Sequence, residues 1–110
     1  MRTRQEDFAV AAAMKVVIEG LLGDLENDLA YAGTLEVVTF ELAIDVANAI
    51  SQLSINLGTY ERLVKGIKQQ PILGSLALDG LVLRKRFSCC EDKAKRLNVI
   101  AHEILAETVN

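Results

Sequence analysis

Apolar residues recur at steps of three and four along the first third of the chain, from Phe8 to Leu29. This spacing places them on one face of an amphipathic helix. Thr3 and Glu6 stand three residues apart just before the pattern, which is the arrangement of a capping box at a helix start. The pattern therefore predicts a first helix that ends shortly before Gly33, a residue suited to closing a helix.

The next segment, 34–57, is apolar on nearly every side. Thr34 is predicted to cap a helix there, and the polar residues of that helix form one narrow stripe of Glu41, Asp45, Asn48 and Gln52. A helix with a single polar stripe is either surrounded by its own bundle or shared with a second copy. Because a chain of 110 residues offers few other helices, the pattern favours a homodimer. The predicted self-association residues are Leu35, Val38, Phe40, Leu42, Val46, Ile50 and Leu53.

The second half of the chain is predicted to contain a third helix over 60–70 and a last one that begins near Ser88. Between them, the segment 75–84 has two alternatives. Asp79 and Gly80 separate two short apolar runs, which favours the two-residue turn of a β-hairpin. The leucines of the same segment also fit a helix that contains glycines, and the sequence alone leaves both alternatives open.

Composition agrees with one small folded unit. The 110 residues are 51% apolar and 25% charged, with a single proline, which is too apolar for a disordered segment. We therefore expect a mainly α fold, a small helical bundle of three or four helices in which a short β-hairpin near 75–84 is the open alternative. The chain 1–110 is predicted to form a single helical domain.

Several kinds of site and location are disfavoured by the sequence. No apolar run approaches the ~20 residues that span a bilayer, and the charged start of the chain lacks the apolar stretch of a secretory leader. The two cysteines, Cys89 and Cys90, are adjacent and the chain has one His, which does not suit a zinc site. We expect a cytoplasmic protein with no membrane contact and no cofactor.

Charge is unevenly distributed along the chain. Residues 1–58 contain three bases and nine acids, whereas residues 59–110 contain nine bases and six acids. The first part therefore has a net charge of −6 and the second of +3. Such halves can attract each other within or between copies, or the basic half can face an external anion.

A helix-turn-helix spacing is present around Gly58. Ser54 supplies the small residue four positions before this glycine, and Val64 and Ile67 supply apolar residues six and nine positions after it. Together with a possible turn at 79–80, the string 57–60 resembles the corresponding part of Cro-type phage repressors, over about a quarter of the chain.

This resemblance implies a small DNA-binding regulator of phage or plasmid type, with nucleic acid as its partner. The sequence departs from the family pattern at Thr59, where an apolar residue is expected, and the overall acidic charge disfavours phosphate contacts. The residues implied for DNA contact are Tyr60, Arg62, Lys65 and Lys68 in the groove, and Arg84, Lys85 and Arg86 on phosphates.

Four carboxylates form a second constellation. Asp24 and Asp28 lie one helical turn apart, as do Glu41 and Asp45, and an antiparallel pair of helices joined near Gly33 would bring them together. Carboxylate oxygens are the ligands that Mg²⁺ prefers. The arrangement is similar in type to the helical nucleotide pyrophosphatases of the MazG type, although the doubled glutamate motif of that family is absent.

The function predicted from these patterns is non-catalytic. We expect a regulatory or adaptor protein that acts through protein–protein contacts, as a homodimer and with another protein as a further partner. The alternative is the DNA-binding regulator, and a third hypothesis is a magnesium-dependent enzyme of the pyrophosphatase kind. No glycine-rich phosphate loop and no strand–turn serine nucleophile is present in the sequence.

Overall fold

Over residues 4–67 and 72–109, three helices make up the fold. The computed structural model describes the backbone of residues 4–67 and 72–109, and the side chains of residues 6–67 and 75–96. The helices are α1 (Arg4–Gly33), α2 (Phe40–Gly66) and α3 (Ile72–Val109). No strand occurs in the described ranges. The predicted class, a mainly α bundle of three or four helices, is confirmed with three.

The bundle is an elongated rod in which each helix packs against both others. Lys15 of α1 pairs with Asp79 of α3, and Glu26 of α1 pairs with Arg86 of α3. Because the residue later in α1 pairs with the residue later in α3, these two helices run parallel. The principal dimensions are 58 × 25 × 16 Å. The radius of gyration is 17.3 Å, compared with about 13 Å for a compact domain of this length.

Buried apolar side chains from all three helices form one main core. In α2 these residues follow steps of four and three, from Leu53 to Val64, and α3 repeats the spacing from Leu83 to Ala94. This is the pattern of helices that pack along a seam at a shallow crossing angle. The largest fully buried side chains are Tyr60, Phe87, Ile18, Leu22, Leu25, Leu53, Leu57, Leu83 and Val46.

The connection between α1 and α2 differs from the prediction. The hydroxyl of Thr34 donates to the carbonyl of Tyr31 at 2.7 Å, so this threonine closes α1 and does not begin α2. Thr39 is the N-cap of α2, and its side chain accepts a hydrogen bond from the backbone N–H of Leu42 at 3.2 Å. The predicted start of this helix at Thr34 is therefore wrong, since α2 begins at Phe40.

The predicted break between a helix that ends at 57 and a third helix over 60–70 is absent, because Gly58 does not end α2. The helix continues through it to Gly66, and Ile67 takes an extended conformation with φ −85° and ψ 116°. A glycine in a helix interior costs about 1 kcal/mol relative to alanine. Burial of Leu57 and Tyr60 on either side outweighs that cost, because each large side chain contributes about 1.5–3 kcal/mol when buried.

The segment 75–84 is helical, so of its two alternatives the structure has the helix and no hairpin forms there. Leu76 and Leu83 lie seven residues apart on the same buried stripe of the helix, whereas Leu78 and Leu81 face solvent. A β-hairpin with its turn at 79–80 would have placed all four on one face. The same helix passes through Ser88, so the separate last helix predicted there is absent.

Candidate functional site

A groove of about 580 Å³ lies between the second half of α2 and the first half of α3. Three small residues make room for it, namely Gly58 on α2 and Ala77 and Gly80 on α3. Large apolar side chains form its floor and edge, with Leu81 the most exposed of them. Apolar surface at the bottom of a concave site is a common feature of binding grooves, so this groove is a candidate site.

Tyr60 forms part of the groove floor and is 0% exposed. Its hydroxyl donates to the backbone carbonyl of Leu76 at 2.9 Å, which ties α2 to α3. Burial disfavours the charged phenolate, and together with the nearby carboxylates of Asp79 and Glu19 it raises the pKa of Tyr60 to about 12. The side chain is therefore neutral at pH 7 and contributes shape, not acid–base chemistry.

The rim of the groove carries positive charge. Arg62 and Lys65 are exposed on α2, and no carboxylate of the described residues pairs with either. Glu61 is the one acid that lines the groove, and the guanidinium of Arg84 donates to both of its carboxylate oxygens, one of these bonds measuring 3.1 Å. This hydrogen bonding raises the pKa of Arg84. Since Glu61 is neutralised, the rim presents Arg62 and Lys65 around an apolar floor, with no ion pair to a carboxylate of the described residues.

The residues predicted for DNA contact lie in different environments. Tyr60 is in the core, and Arg84 and Arg86 are held by carboxylates of the bundle, Arg86 by Glu26 at 2.5 Å. The exposed ones are Arg62, Lys65 and Lys85, and Lys68 lies outside the described residues. The helix-turn-helix itself is not formed, because its turn glycine is inside α2.

The predicted magnesium ligands are not brought together. Asp24, Asp28, Glu41 and Asp45 are each exposed to solvent. Across the described side chains, no group of three or more His, Cys, Asp or Glu residues could hold a metal ion. Their placement on α1 and the start of α2 instead gives this part of the bundle an acidic surface.

The predicted self-association residues divide between core and surface. Val38, Val46 and Leu53 are buried within the protomer, and Leu42 and Ile50 pack partly against its core. Leu35 is half-buried, and Phe40 is the exposed member of the set. Val46 and Leu53 belong to the main core, and Val38 packs with Ala32 and Ala43 in a smaller cluster, so these three residues are covered within the protomer. Self-association through the rest of the segment stays a prediction.

Sequence reasoning missed an exposed apolar surface between α1 and α3. It contains Phe8 and Val16 from α1 and Leu78 and Val82 from α3. Phe8 was expected to face inward, and the two α3 residues were obscured by the open choice between hairpin and helix. On a helix over 75–84, the buried positions from Leu76 onward form one stripe, and Leu78 and Val82 fall outside it on the outer side of the helix.

Searches of protein-family models, curated proteins and solved structures found no match to this chain. Within the described residues, no helix combines the length and apolar character that crossing a bilayer requires. The site therefore has to be interpreted from its own geometry.

Proposed function

We propose that this chain is a non-catalytic regulatory or adaptor protein that acts through protein–protein contacts and assembles as a homodimer. The observation that carries the proposal is its exposed apolar surface. Eleven large apolar side chains in the described part of the chain are between 37% and 68% exposed. Isolated exposed apolar residues are ordinary, but contiguous groups of them mark interaction sites.

The groove between α2 and α3 supports a partner of particular chemistry. Its floor suits a large apolar side chain, and the cations of Arg62 and Lys65 suit acidic residues beside that side chain. An amphipathic helix with acidic flanks combines these features, and helix-in-groove binding uses apolar anchors one turn apart. The proposed second partner is therefore a protein that presents an acidic amphipathic helix.

The proposed location is the cytoplasm. Cys89 and Cys90 are both free thiols, the first exposed and the second buried in the bundle. Burial also raises the pKa of the Cys90 thiol, which reduces its reactivity. Adjacent free cysteines on one helix fit a reducing compartment, where thiols are kept unpaired.

Light scattering coupled to size exclusion tests the homodimer directly. A particle of about twice the 12.0 kDa chain mass is expected at micromolar concentration. A particle of single-chain mass at every concentration up to the solubility limit would contradict the homodimer.

A peptide-display library tests the groove. Selection against the wild-type protein is expected to enrich acidic amphipathic sequences, and the enrichment should be lost when the rim charge is reversed in Arg62→Glu/Lys65→Glu. Lys85→Glu is the matched control, because it reverses an exposed cation on α3 that does not line the groove. Enrichment of basic sequences, or equal binding to the rim variant, would show that this groove is not the partner site.

A further inference from the structure

The outer surface between α1 and α3 presents large apolar side chains that the bundle leaves uncovered. Phe8 and Val16 on α1 are 37% and 67% exposed, and Leu78 and Val82 on α3 are 64% and 60% exposed. These four residues define what we call the α1/α3 face. Phe8 and Val16 line the same depression as Asp79, and Leu78 and Val82 flank Asp79 on α3.

Helical spacing places Val82 on the side of α3 that faces α1. Asp79 and Arg86, three residues before and four residues after Val82, are both paired with side chains of α1. Residues at these separations share one helix face. Val82 therefore lies between two bridges to α1, and Leu78 lies one turn before it on the same outer surface.

The charged groups among these apolar residues are paired with one another. The ammonium of Lys15 lies 3.1 Å from Asp79 and 3.7 Å from Glu19. The hydrogen bond and charge of Asp79 raise the pKa of Lys15, so this ammonium stays protonated beside its partners. Arg86 is likewise paired with Glu26. The two cations and three carboxylates of the face are therefore paired inside the protomer, and they leave a net charge of −1.

We propose that the α1/α3 face binds the same face of a second copy of this chain, an inference that rests on the proposed homodimer and names its surface. A two-fold contact brings a patch against a copy of itself, so a patch with a net charge meets its own charge. The groove rim would oppose cations to cations, and the surface of Asp24, Asp28, Glu41 and Asp45 would oppose acids to acids. The α1/α3 face has a net charge of −1 from its paired groups, so it carries a smaller penalty than either of the other two surfaces.

The shape of the face also suits contact with its own copy. A depression of about 480 Å³ lies between α1 and α3, with Ala12 and Leu76 among its lining residues. The exposed side chains of Leu78 and Val82 stand beside it. A two-fold interface needs projecting and receding parts on one patch, and this face has both.

The elongated shape of the protomer suits a side-by-side contact. The chain exposes 7444 Å², whereas a compact monomer of its mass exposes about 6,000 Å². An interface of standard size takes ~800 Å² from each partner, and the long side of the rod, 58 Å in extent, is where such a contact would lie.

Single charge insertions on the two helices test this face. Val16→Glu on α1 and Val82→Glu on α3 are each expected to raise the dimer dissociation constant by roughly two orders of magnitude, measured by light scattering or sedimentation over a dilution series. Ile55→Glu is the matched control, because Ile55 is 68% exposed on α2 and outside this face. Far-ultraviolet circular dichroism should show the same helix content in all four proteins.

The outcomes separate this inference from the homodimer on which it rests. If both face variants dissociate while Ile55→Glu remains a dimer, the result supports the α1/α3 face as the dimer interface. If the wild type is dimeric and both face variants remain so, the second copy binds elsewhere and the face is wrong. If the wild type is monomeric at every concentration of the dilution series, the proposed homodimer is wrong, and the proposed α1/α3 contact is wrong as well.

Discussion

The aromatic ring of Tyr60 lies directly against Gly80, and a Cβ atom at position 80 would come within 3.2 Å of its ring carbon Cε1. The ring cannot easily yield, because its side chain is fully buried and its hydroxyl is bonded to the carbonyl of Leu76. Glycine at position 80 is therefore required for the close approach of α2 and α3 that forms the groove floor.

We expect Gly80→Ala and Gly20→Ala to have opposite effects on stability. Both glycines lie inside helices, so alanine removes about 0.5–1 kcal/mol of conformational cost at either position. A Cβ atom at Gly20 meets nothing within 4 Å, and that variant should gain most of this amount. At Gly80 the overlap with Tyr60 should exceed the gain and lower the free energy of unfolding by about 1 kcal/mol.

Urea unfolding of the two variants beside the wild type measures both signs in one experiment. Equal stabilisation by both substitutions would mean that the ring of Tyr60 moves freely, contrary to the packing described for the groove floor.

The hydroxyl of Tyr60 should make stability fall at high pH. Its pKa is about 12 in the folded protein, above the ordinary value of 10.0. The stabilisation that this difference provides is fully present below pH 10, where the phenol is neutral in both states. It is lost as the pH rises from about 10 towards 12, because the unfolded chain then releases the proton and the folded one does not.

Two variants isolate this effect. Tyr60→Phe keeps the ring but loses the hydrogen bond to Leu76, which should lower the free energy of unfolding by about 1 kcal/mol at pH 7. The stability difference between wild type and Tyr60→Phe should shrink above pH 10. In Tyr31→Phe, phenolate absorbance reports on Tyr60 alone, and a midpoint near pH 10 in the folded protein would contradict the burial of its hydroxyl.

The helical class and much of the core could be predicted from the sequence, because burial along a helix leaves a local signature. Ile18, Leu22, Leu25 and Leu29 recur at steps of three and four, and all four are buried in the bundle. The same spacing is expected in any helical bundle in which each helix buries one face. It therefore predicts which residues are buried, but not which helix packs against them.

Helix ends were harder to predict, because each depends on a few residues whose signals recur along the chain. Thr34 and Thr39 are both suitable N-caps, and only the structure shows that Thr34 bonds back to Tyr31 while Thr39 begins α2. Gly58 likewise resembles a helix end until the burial of its neighbours Leu57 and Tyr60 is known.

The candidate site could not be predicted, because it depends on contacts between distant parts of the sequence. Arg84 is bonded to Glu61, 23 residues away, and that pairing removes one predicted DNA contact while leaving the groove rim positive. The α1/α3 face similarly depends on which apolar residues the bundle fails to cover. The local spacing of apolar residues specifies neither this ion pair nor the uncovered face.

The ion pair between Glu26 and Arg86 should stabilise the protein modestly above acidic pH. It joins α1 to α3 through two hydrogen bonds, at 2.5 and 3.3 Å, and both side chains are more than a third exposed. Water screens such a pair, so we expect a coupling of about 0.5–1 kcal/mol at pH 7 in a double-mutant cycle of Glu26→Gln and Arg86→Met. Lys85→Met is the control, since Lys85 is an exposed neighbour on the same helix.

The pH dependence of this coupling follows from the pKa of Glu26. Hydrogen bonding from Arg86 lowers that pKa below its ordinary value of 4.5. The stabilisation is therefore fully present above about pH 4.5, and it is lost as the pH falls through the lower pKa of the folded state, where the carboxylate takes up a proton. Repeating the cycle across this range should show the coupling vanish at acidic pH. A coupling that stayed constant to pH 2 would mean that the interaction between the two residues does not depend on the charge of Glu26.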